Sequence, residues 1–448
     1  TAWGKDLALR TYTSRLIGAE KTLVLHGGGN TSVKGVFTDV LGRDVAAIFI
    51  KASGWDLADI EPAGHVGVDL ESLRMLRRLS ELSDEAMVNE LRTKMFDAKA
   101  ATASIEALMH AFISAKYIDH THADAILGLT NRVDGERIVR EALGDDVIVV
   151  EYTRPGFRLA RAAADAFDAS PDSRGMVLMK HGLVTWGEDA RESYDKTIEL
   201  VSKAGEYLAR KASKPLKPKV TTPPPVALER YLEVAPLLRG ALAVPTNDPD
   251  RPYRRCVLRP LVTEEVLGIL DSERAKSVLL TPPLTADHLI RTKPLPAWID
   301  GLEFGDARRM RDRIISTVRE YEQQYDAYVE RHAARLPQGV ARFDPMPRVL
   351  LVPGVGAVCA GRDAVEAGIV RDITTQTLTV KAAIAPVATR DWTSHTSSIW
   401  STSRCSTRSS TWTTGRRCGA RSVSLRGRPG PSGRGSARGS STQAPMWR

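Results

Sequence analysis

Cysteine is scarce in this chain. Its 448 residues include four, Cys256, Cys359, Cys405 and Cys418, unclustered and without CxxC spacing, which excludes a disulfide scaffold and a cysteine-built zinc site. Long apolar runs are missing too. No stretch approaches the ~18 residues that span a bilayer, so no membrane segment is expected. The opening TAWGKDLALRTYTSRLIGAE has neither an apolar core nor a small-residue cleavage site, and no initiator Met. It reads as no signal peptide, and as the start of a fragment. A reducing, cytoplasmic setting fits. What is present, 42% hydrophobic and 26% charged residues, suits a soluble globular enzyme.

Acidic residues and lysine are absent from Trp392 onward. The ten arginines there exceed the whole net charge of +9, so the remainder of the chain sits near −1. The basic balance therefore marks a tail and not a basic body. This tail has hardly an aliphatic residue and holds half the tryptophans and half the cysteines, so it cannot bury enough surface to order itself. It reads either as an RNA-binding arm whose Trp rings stack on bases or as GC-rich coding DNA translated out of frame. The second reading is taken, and no nucleic acid is expected as partner.

A length prior of roughly 150 residues per domain gives two or three domains. Residues 1–212 alternate strands and helices. TLVLHGGGNTSVKG reads strand, glycine turn, strand; VAAIFIKASG a buried strand; SLRMLRRLSEL and SDEAMVNELRTKMF amphipathic helices, the second capped by Ser83; ASIEALMHAFISA a helix. DAILGLT and DVIVVEYT read as strands, GFRLARAAADAF as a helix, GMVLMKHGLVTWG as a strand pair, and DARESYDKTIELVSKAGEYLARKA as a long helix. The proline-rich residues 213–225 make a linker. Residues 226–385 form a second α/β unit with a long helix near DARRMRDRIISTVREYEQQYDAYVERHAA, and residues 386–448 the disordered tail. VLMKHGLVTWGEDARESYDKTIEL and VLLVPGVGAVCAGRDAVEAGIVRDI echo one another, the second without a counterpart of His181. The second unit thus reads as a degenerate repeat lacking the first one's chemistry.

That chemistry starts in YIDHTHADAI, residues 117–126. Residues two apart in a strand point the same way, so His120 and His122 can converge on one point. His181, ending an apolar strand just before a glycine, is a third candidate. A buried imidazole needs a partner, and a divalent metal held by three neutral imidazoles is one solution, with zinc the default and Mn, Co or Fe open. Asp119 or Asp124 would orient a ligating ring. HGGGNTSVK, residues 26–34, reads either as a hairpin turn or as an anion cradle with Asn30, Thr31 and Ser32, and KASGWD adds Ser53 and Gly54 as donors. No G-x-S-x-G accompanies the HGGG run, and it lacks the third glycine of a dinucleotide loop. Two such turns beside a metal suggest a phosphorylated, oxygen-rich substrate. Glu106 by itself is a first-turn carboxylate favoured by the helix dipole.

The order GGGNTSVK, KASGW, SIEALMH, HTHADA, EYTRPG, KHG, all between residues 27 and 182, resembles the class II aldolase/adducin family. More narrowly it is similar to the bifunctional rhamnulose-1-phosphate aldolase/short-chain dehydrogenase proteins of bacteria. LTPPLTADHLIRTKPLP and FDPMPRVLLVPG extend the likeness to roughly residues 2–385. The resemblance implies an α/β/α domain with a central mixed or antiparallel sheet, followed by a smaller α/β unit. It implies that His120, His122 and His181 bind the metal and that Glu106 is the general base. It places Asn30, Ser53, Gly54 and Ser104 at phosphate-binding positions, with Ile105 where some relatives carry a second serine. It makes Tyr152 a proton donor acting across a subunit boundary, hence a homo-oligomer. The implied reaction cleaves a ketose 1-phosphate through an enediolate to dihydroxyacetone phosphate and a small aldehyde, L-lactaldehyde if the substrate is rhamnulose 1-phosphate. No TGxxxGxG loop or suitable Tyr-x-x-x-Lys dyad follows, so dehydrogenase activity is not expected. Two alternatives within the family are a sugar-phosphate epimerase and an adducin-like scaffold without activity.

Overall fold

A computed structural model describes residues 4–211, 222–335 and 342–384. The linker's first part and the tail lie outside the described residues. The first unit runs α1 (Gly4–Ala19), β1 (Asn30–Thr38), β2 (Asp44–Lys51), β3 (His65–Asp69), α2 (Leu70–Met75), α3 (Asp84–Thr93), α4 (Ala107–Phe112) and β4 (Tyr117–Thr121). It continues with α5 (Asp124–Thr130), α6 (Gly135–Leu143), β5 (Val147–Val150), α7 (Phe157–Ala169), β6 (Gly175–Leu178), β7 (Gly182–Gly187) and α8 (Ala190–Lys211). The seven strands form one sheet, β3-β2-β1-β4-β7-β6-β5. Its pairs are antiparallel except β5 with β6.

Alternation of side chains divides the apolar strands between two layers. Met176, Leu178, Val184 and Trp186 join the cluster that includes Leu91, Leu108 and Phe157 from α3, α4 and α7. Val177 and Leu183 join the opposite cluster, with Ile17, Ile126, Ile138 and Leu200 from α1, α5, α6 and α8. The result is an α/β/α sandwich. Ser83 caps α3 by accepting the Ala86 N–H.

Three sequence readings give way. TLVL is not a strand: residues 21–23 form turns after α1, and Leu23 and Val24 serve the core. DAILGLT is the helix α5. Seven residues of mixed apolar character do not distinguish the two periods, and packing on α8 decides for helix. Pro224 and Pro225, assigned to the linker, open α9 (Pro224–Ala241), where a missing N–H costs nothing.

The second unit follows α9 with the short pair β8 (Val244–Pro245) and β9 (Tyr253–Arg254), then β10 (Val257–Leu261), α10 (Glu264–Leu270), α11 (Ala275–Leu279), α12 (Ala286–Thr292) and β11 (Ala297–Trp298). It ends with α13 (Ala307–Arg331), β12 (Val349–Val352), β13 (Gly356–Gly361) and α14 (Ala364–Ile384). Its sheet has the order β10-β13-β12-β11. The unit packs on the first through Leu127, Leu284 and Val380, which form a shared apolar cluster.

Candidate active site

The end of β4 and the starts of β1 and β7 lie side by side in the sheet, with Asn30 opposite His120 and Thr121 opposite Leu183. His120 is in β4, His122 just past it, and His181 just before β7, in a hairpin turn where Lys180 takes φ 58°. All three rings are buried, and their ligand atoms lie within 4.8 Å of one another. The His120 and His122 Nε2 atoms are 3.1 Å apart. Gly182 permits this approach: a Cβ there would meet the Thr121 carbonyl at 2.2 Å and crowd both rings.

Glu106, at the N-terminus of α4, enters the same space. Its Oε1 is 3.1 Å from His181 Nε2 and its Oε2 3.4 Å from His120 Nε2. Asn30 Nδ2 donates to Glu106 Oε2 at 2.6 Å and to Ser104 Oγ at 3.1 Å. Burial pushes the Glu106 carboxyl up, but the surrounding imidazoles outweigh it and hold it well below its ordinary range. Burial pushes the His120 imidazole down to about 3, against the pull of the Glu106 carboxylate. Its Nδ1 is 3.0 Å from the Leu183 carbonyl, which fixes the proton there and frees Nε2.

These donors fit a divalent cation. The 3.1 Å between His120 Nε2 and His122 Nε2 is close to the ~3.3 Å edge of a tetrahedron with ~2.05 Å metal–nitrogen bonds, His181 brings its ligand atom within 4.8 Å of both, and a carboxylate stands beside them. His120, His122 and His181 are the group among the described residues that could hold a metal.

The other expected residues divide. Ser53 neighbours Ser104 through a bridge between Ala52 and Ala103, but its N–H donates to the Thr102 carbonyl and is not free for an anion. Gly54 is exposed at φ 88°. Thr31 and Ser32 do not form a cradle: Thr31 Oγ1 contacts Ser14 and His65, and Ser32 Oγ contacts His110 Nδ1, inside the core. Tyr152 is half-buried against the second cluster, and burial pushes its phenol up to about 12.

Neither Asp119 nor Asp124 orients a ligand ring. Asp119 points through the other face of β4 to the Arg10 guanidinium at 2.5 Å, both side chains fully buried, and Asp124 pairs with Gln376. The carboxylate beside His122 is Asp287, in α12 of the second unit, 3.1 Å from Nδ1. Burial raises its carboxyl and His122 opposes this more strongly, leaving it at about 2. Lys51 also went unnoticed in the sequence, although a lysine closing the apolar run VAAIFI was a signal. Its ammonium donates to the Gly27 and Trp55 carbonyls, both at 2.9 Å, and so ties the two glycine turns together.

A family profile described as Class II Aldolase and Adducin N-terminal domain matches residues 10–208. A second, described as Aldolase class II, second domain, matches residues 229–393. The chain belongs to the class II aldolase/adducin family. A curated relative, the uncharacterized oxidoreductase YuxG of Bacillus subtilis (strain 168), is 33% identical over 356 residues, 78% of this chain and 50% of that protein. The chain thus spans half the length of that relative. Among solved structures, the N-terminal class II aldolase domain of a conserved Thermoplasma acidophilum protein is 37% identical, covering 46% of this chain and 94% of that one, with a TM-score of 0.44. L-Fuculose-1-phosphate aldolase of Thermus thermophilus is 20% identical, covering 46% and 95%, with a TM-score of 0.30.

Proposed function

We propose that the protein is a divalent-metal-dependent aldolase that splits a ketose 1-phosphate of the rhamnulose 1-phosphate type into dihydroxyacetone phosphate and L-lactaldehyde. One observation carries the reading: the three Nε2 atoms and the Glu106 carboxylate converge on one buried point. His120, His122 and His181 would hold the cation, zinc by donor type. Bound there, it supplies the electron withdrawal that lets a carbon–carbon bond beside a ketone break.

The chain's own residues do the rest. Glu106 is charged, and Asn30 aims it by binding the oxygen nearest His120. In the direction of bond formation this carboxylate removes the proton from the donor carbon; in cleavage it takes up the proton released by the substrate hydroxyl that becomes the aldehyde, and passes it to that carbon. The Ser104 and Ser53 hydroxyls and Gly54 receive the substrate phosphate, joined by the Asn30 amide once it turns one N–H away from Ser104, with Ile105 narrowing the choice of donor. Tyr152 stays a protonated phenol at neutral pH and serves the aldehyde oxygen of a neighbouring copy in a homo-oligomer. Among the described residues no helix is long and apolar enough to cross a membrane; a cytoplasmic location is part of the proposal. The relative's name marks an oxidoreductase twice the matched length. The 448 residues contain no dinucleotide loop, and the lyase step is the one we assign to them.

The test incubates Zn2+-loaded protein with rhamnulose 1-phosphate, fuculose 1-phosphate and ribulose 5-phosphate and follows dihydroxyacetone phosphate. Release from the first supports the proposal. Release from fuculose 1-phosphate alone reassigns the sugar, and isomer exchange without cleavage replaces the lyase by an epimerase. Protein that takes up no divalent ion under any loading condition is a scaffold.

A further inference from the structure

Among the described residues, the second unit reaches the histidine cluster through Asp287. Thr285 caps α12, its Oγ1 accepting the Asp287 N–H at 3.2 Å, so Asp287 is held in the first turn. The segment before it is pinned to the first unit: Asn131, directly after α5, donates from Nδ2 to the Leu284 carbonyl at 3.0 Å. Leu284 itself is fully buried against Leu127 and Val380. Further along the same interface His26 Nε2 lies 3.1 Å from Asp372 Oδ2. Asp287 Oδ2 arrives 3.1 Å from His122 Nδ1. The glycine loop closes over this contact: a Cβ at Gly28 would stand 3.2 Å from both His122 Nδ1 and Asp287 Oδ2.

An imidazole that ligates through Nε2 must carry its proton on Nδ1, and the acceptor of that proton sets both tautomer and ring angle. His120 finds its acceptor in the Leu183 carbonyl, within its own sheet. The described residues give His122 Nδ1 only a carboxylate from the other unit. The contact differs from a surface ion pair, because the ring is 6% exposed although the carboxylate is 46% exposed. Removing the carboxylate leaves a buried donor unpaired and a ring free to turn.

We infer that Asp287 is a positioning residue of the metal site: the second unit completes the catalytic domain by holding the Nδ1–H of His122, so that Nε2 faces His120 and His181. The inference rests on the metal-dependent reading above. It gives the second unit a role in catalysis without chemistry of its own.

The test uses the full chain with Asp287→Ala, Asp287→Asn and Asp287→Glu, and with Asp300→Asn as a control. Asp300 is in the second unit, against Arg313 and Trp298. Zn2+ affinity is read by chelator competition and the His122 tautomer by 15N NMR of the metal-free protein at alkaline pH, where the imidazole is neutral. Asp287→Ala is expected to weaken Zn2+ binding about 10- to 100-fold and to turn a single His122 tautomer into a mixture. Asp287→Asn, which keeps an acceptor oxygen, restores the single tautomer and most of the affinity; Asp300→Asn changes neither. Wild-type affinity and an unchanged tautomer in Asp287→Ala overturn the inference, and so does an equal loss in Asp300→Asn. If Asp287→Ala does not fold, a mixed tautomer in Asp287→Glu, whose longer stem displaces the oxygen, supports the inference and an unchanged one overturns it. Wild-type protein that binds no Zn2+ sinks the aldolase reading, while the metal-free tautomer measurement still decides whether Asp287 positions His122.

Discussion

In both units a strand lies antiparallel to the second strand of a hairpin whose first strand takes a parallel neighbour: β4-β7-β6-β5 in one, β10-β13-β12-β11 in the other. Their registers correspond. Tyr117 faces Gly187 as Val257 faces Gly361, and His120 faces Val184 as Pro260 faces Val358. The residue before β7 is His181 and the residue before β13 is Val355; the residue after β4 is His122 and the residue after β10 is Val262. Three imidazoles are thus matched by proline, valine and valine on the same frame. We read the second unit as a degenerate repeat. The frame needs no imidazole to form, so in the first unit the histidines are free to be chosen for chemistry, and in the second the equivalent places are filled for packing.

The comparison breaks first if matched substitutions behave alike. His181→Ala should lower Zn2+ affinity by more than the ~100-fold that loss of an orienting residue causes, abolishing cleavage while the apo protein stays folded. Val355→Ala, at the equivalent and fully buried position, should leave metal content unchanged and cost about 2 kcal/mol of stability. Metal analysis and denaturant unfolding of both variants check the pair. Glu106→Gln, read by turnover at full metal loading, should reduce the rate about 10²- to 10⁴-fold while Zn2+ stays bound.

A stability measurement tests the opposite face of the same strands. Asp119→Ala leaves the Arg10 guanidinium buried without its carboxylate and should cost about 3–5 kcal/mol. The corresponding residue in β10 is Arg259, which is exposed; Arg259→Ala should stay within about 0.5 kcal/mol. Equal losses in urea titrations of the two variants would mean that the units share less than their strand order suggests.

The His-x-His pair and the strand before His181 were legible because alternation in a strand is a local rule. Glu106 was legible because α4 begins where the sequence places a helix, although that helix is only six residues long. Local rules failed where partners are remote. Asp119 and Asp124 are the nearest acids to His122 in sequence, yet Arg10 takes one and Gln376 the other. Asp287, which touches the ring, comes from the other unit. The same limit hid the fates of Thr31 and Ser32: polar residues after a glycine run suggest a cradle, and only the pairing of β1 with β2 and β4 turns them inward.

The weakest expected effect lies where the units are alike. Among the described residues, each buries a lysine with carbonyls and no carboxylate in hydrogen-bond contact: Lys34 donates to the Ala115 carbonyl, and Lys381 to the Thr281 carbonyl at 2.8 Å. Burial pushes both ammonium groups down to about 7. The ordinary lysine value of 10.5 applies to the unfolded chain. Between the two values the unfolded state holds a proton that the folded state does not, so each lysine makes stability rise with pH from about 7 to 10.5. Its contribution is fully present above 10.5 and is lost as the pH falls through 7. Lys381→Met should therefore flatten the slope of unfolding free energy against pH by up to one proton, with Lys34, Lys51 and Lys293, whose ammonium groups burial also pushes down, sustaining the remainder. Unfolding titrations at pH 7.5, 8.5 and 9.5 read that difference. A slope unchanged in Lys381→Met would mean that the ammonium finds an anion or solvent in the second unit, and the likeness of the two interiors would fail there.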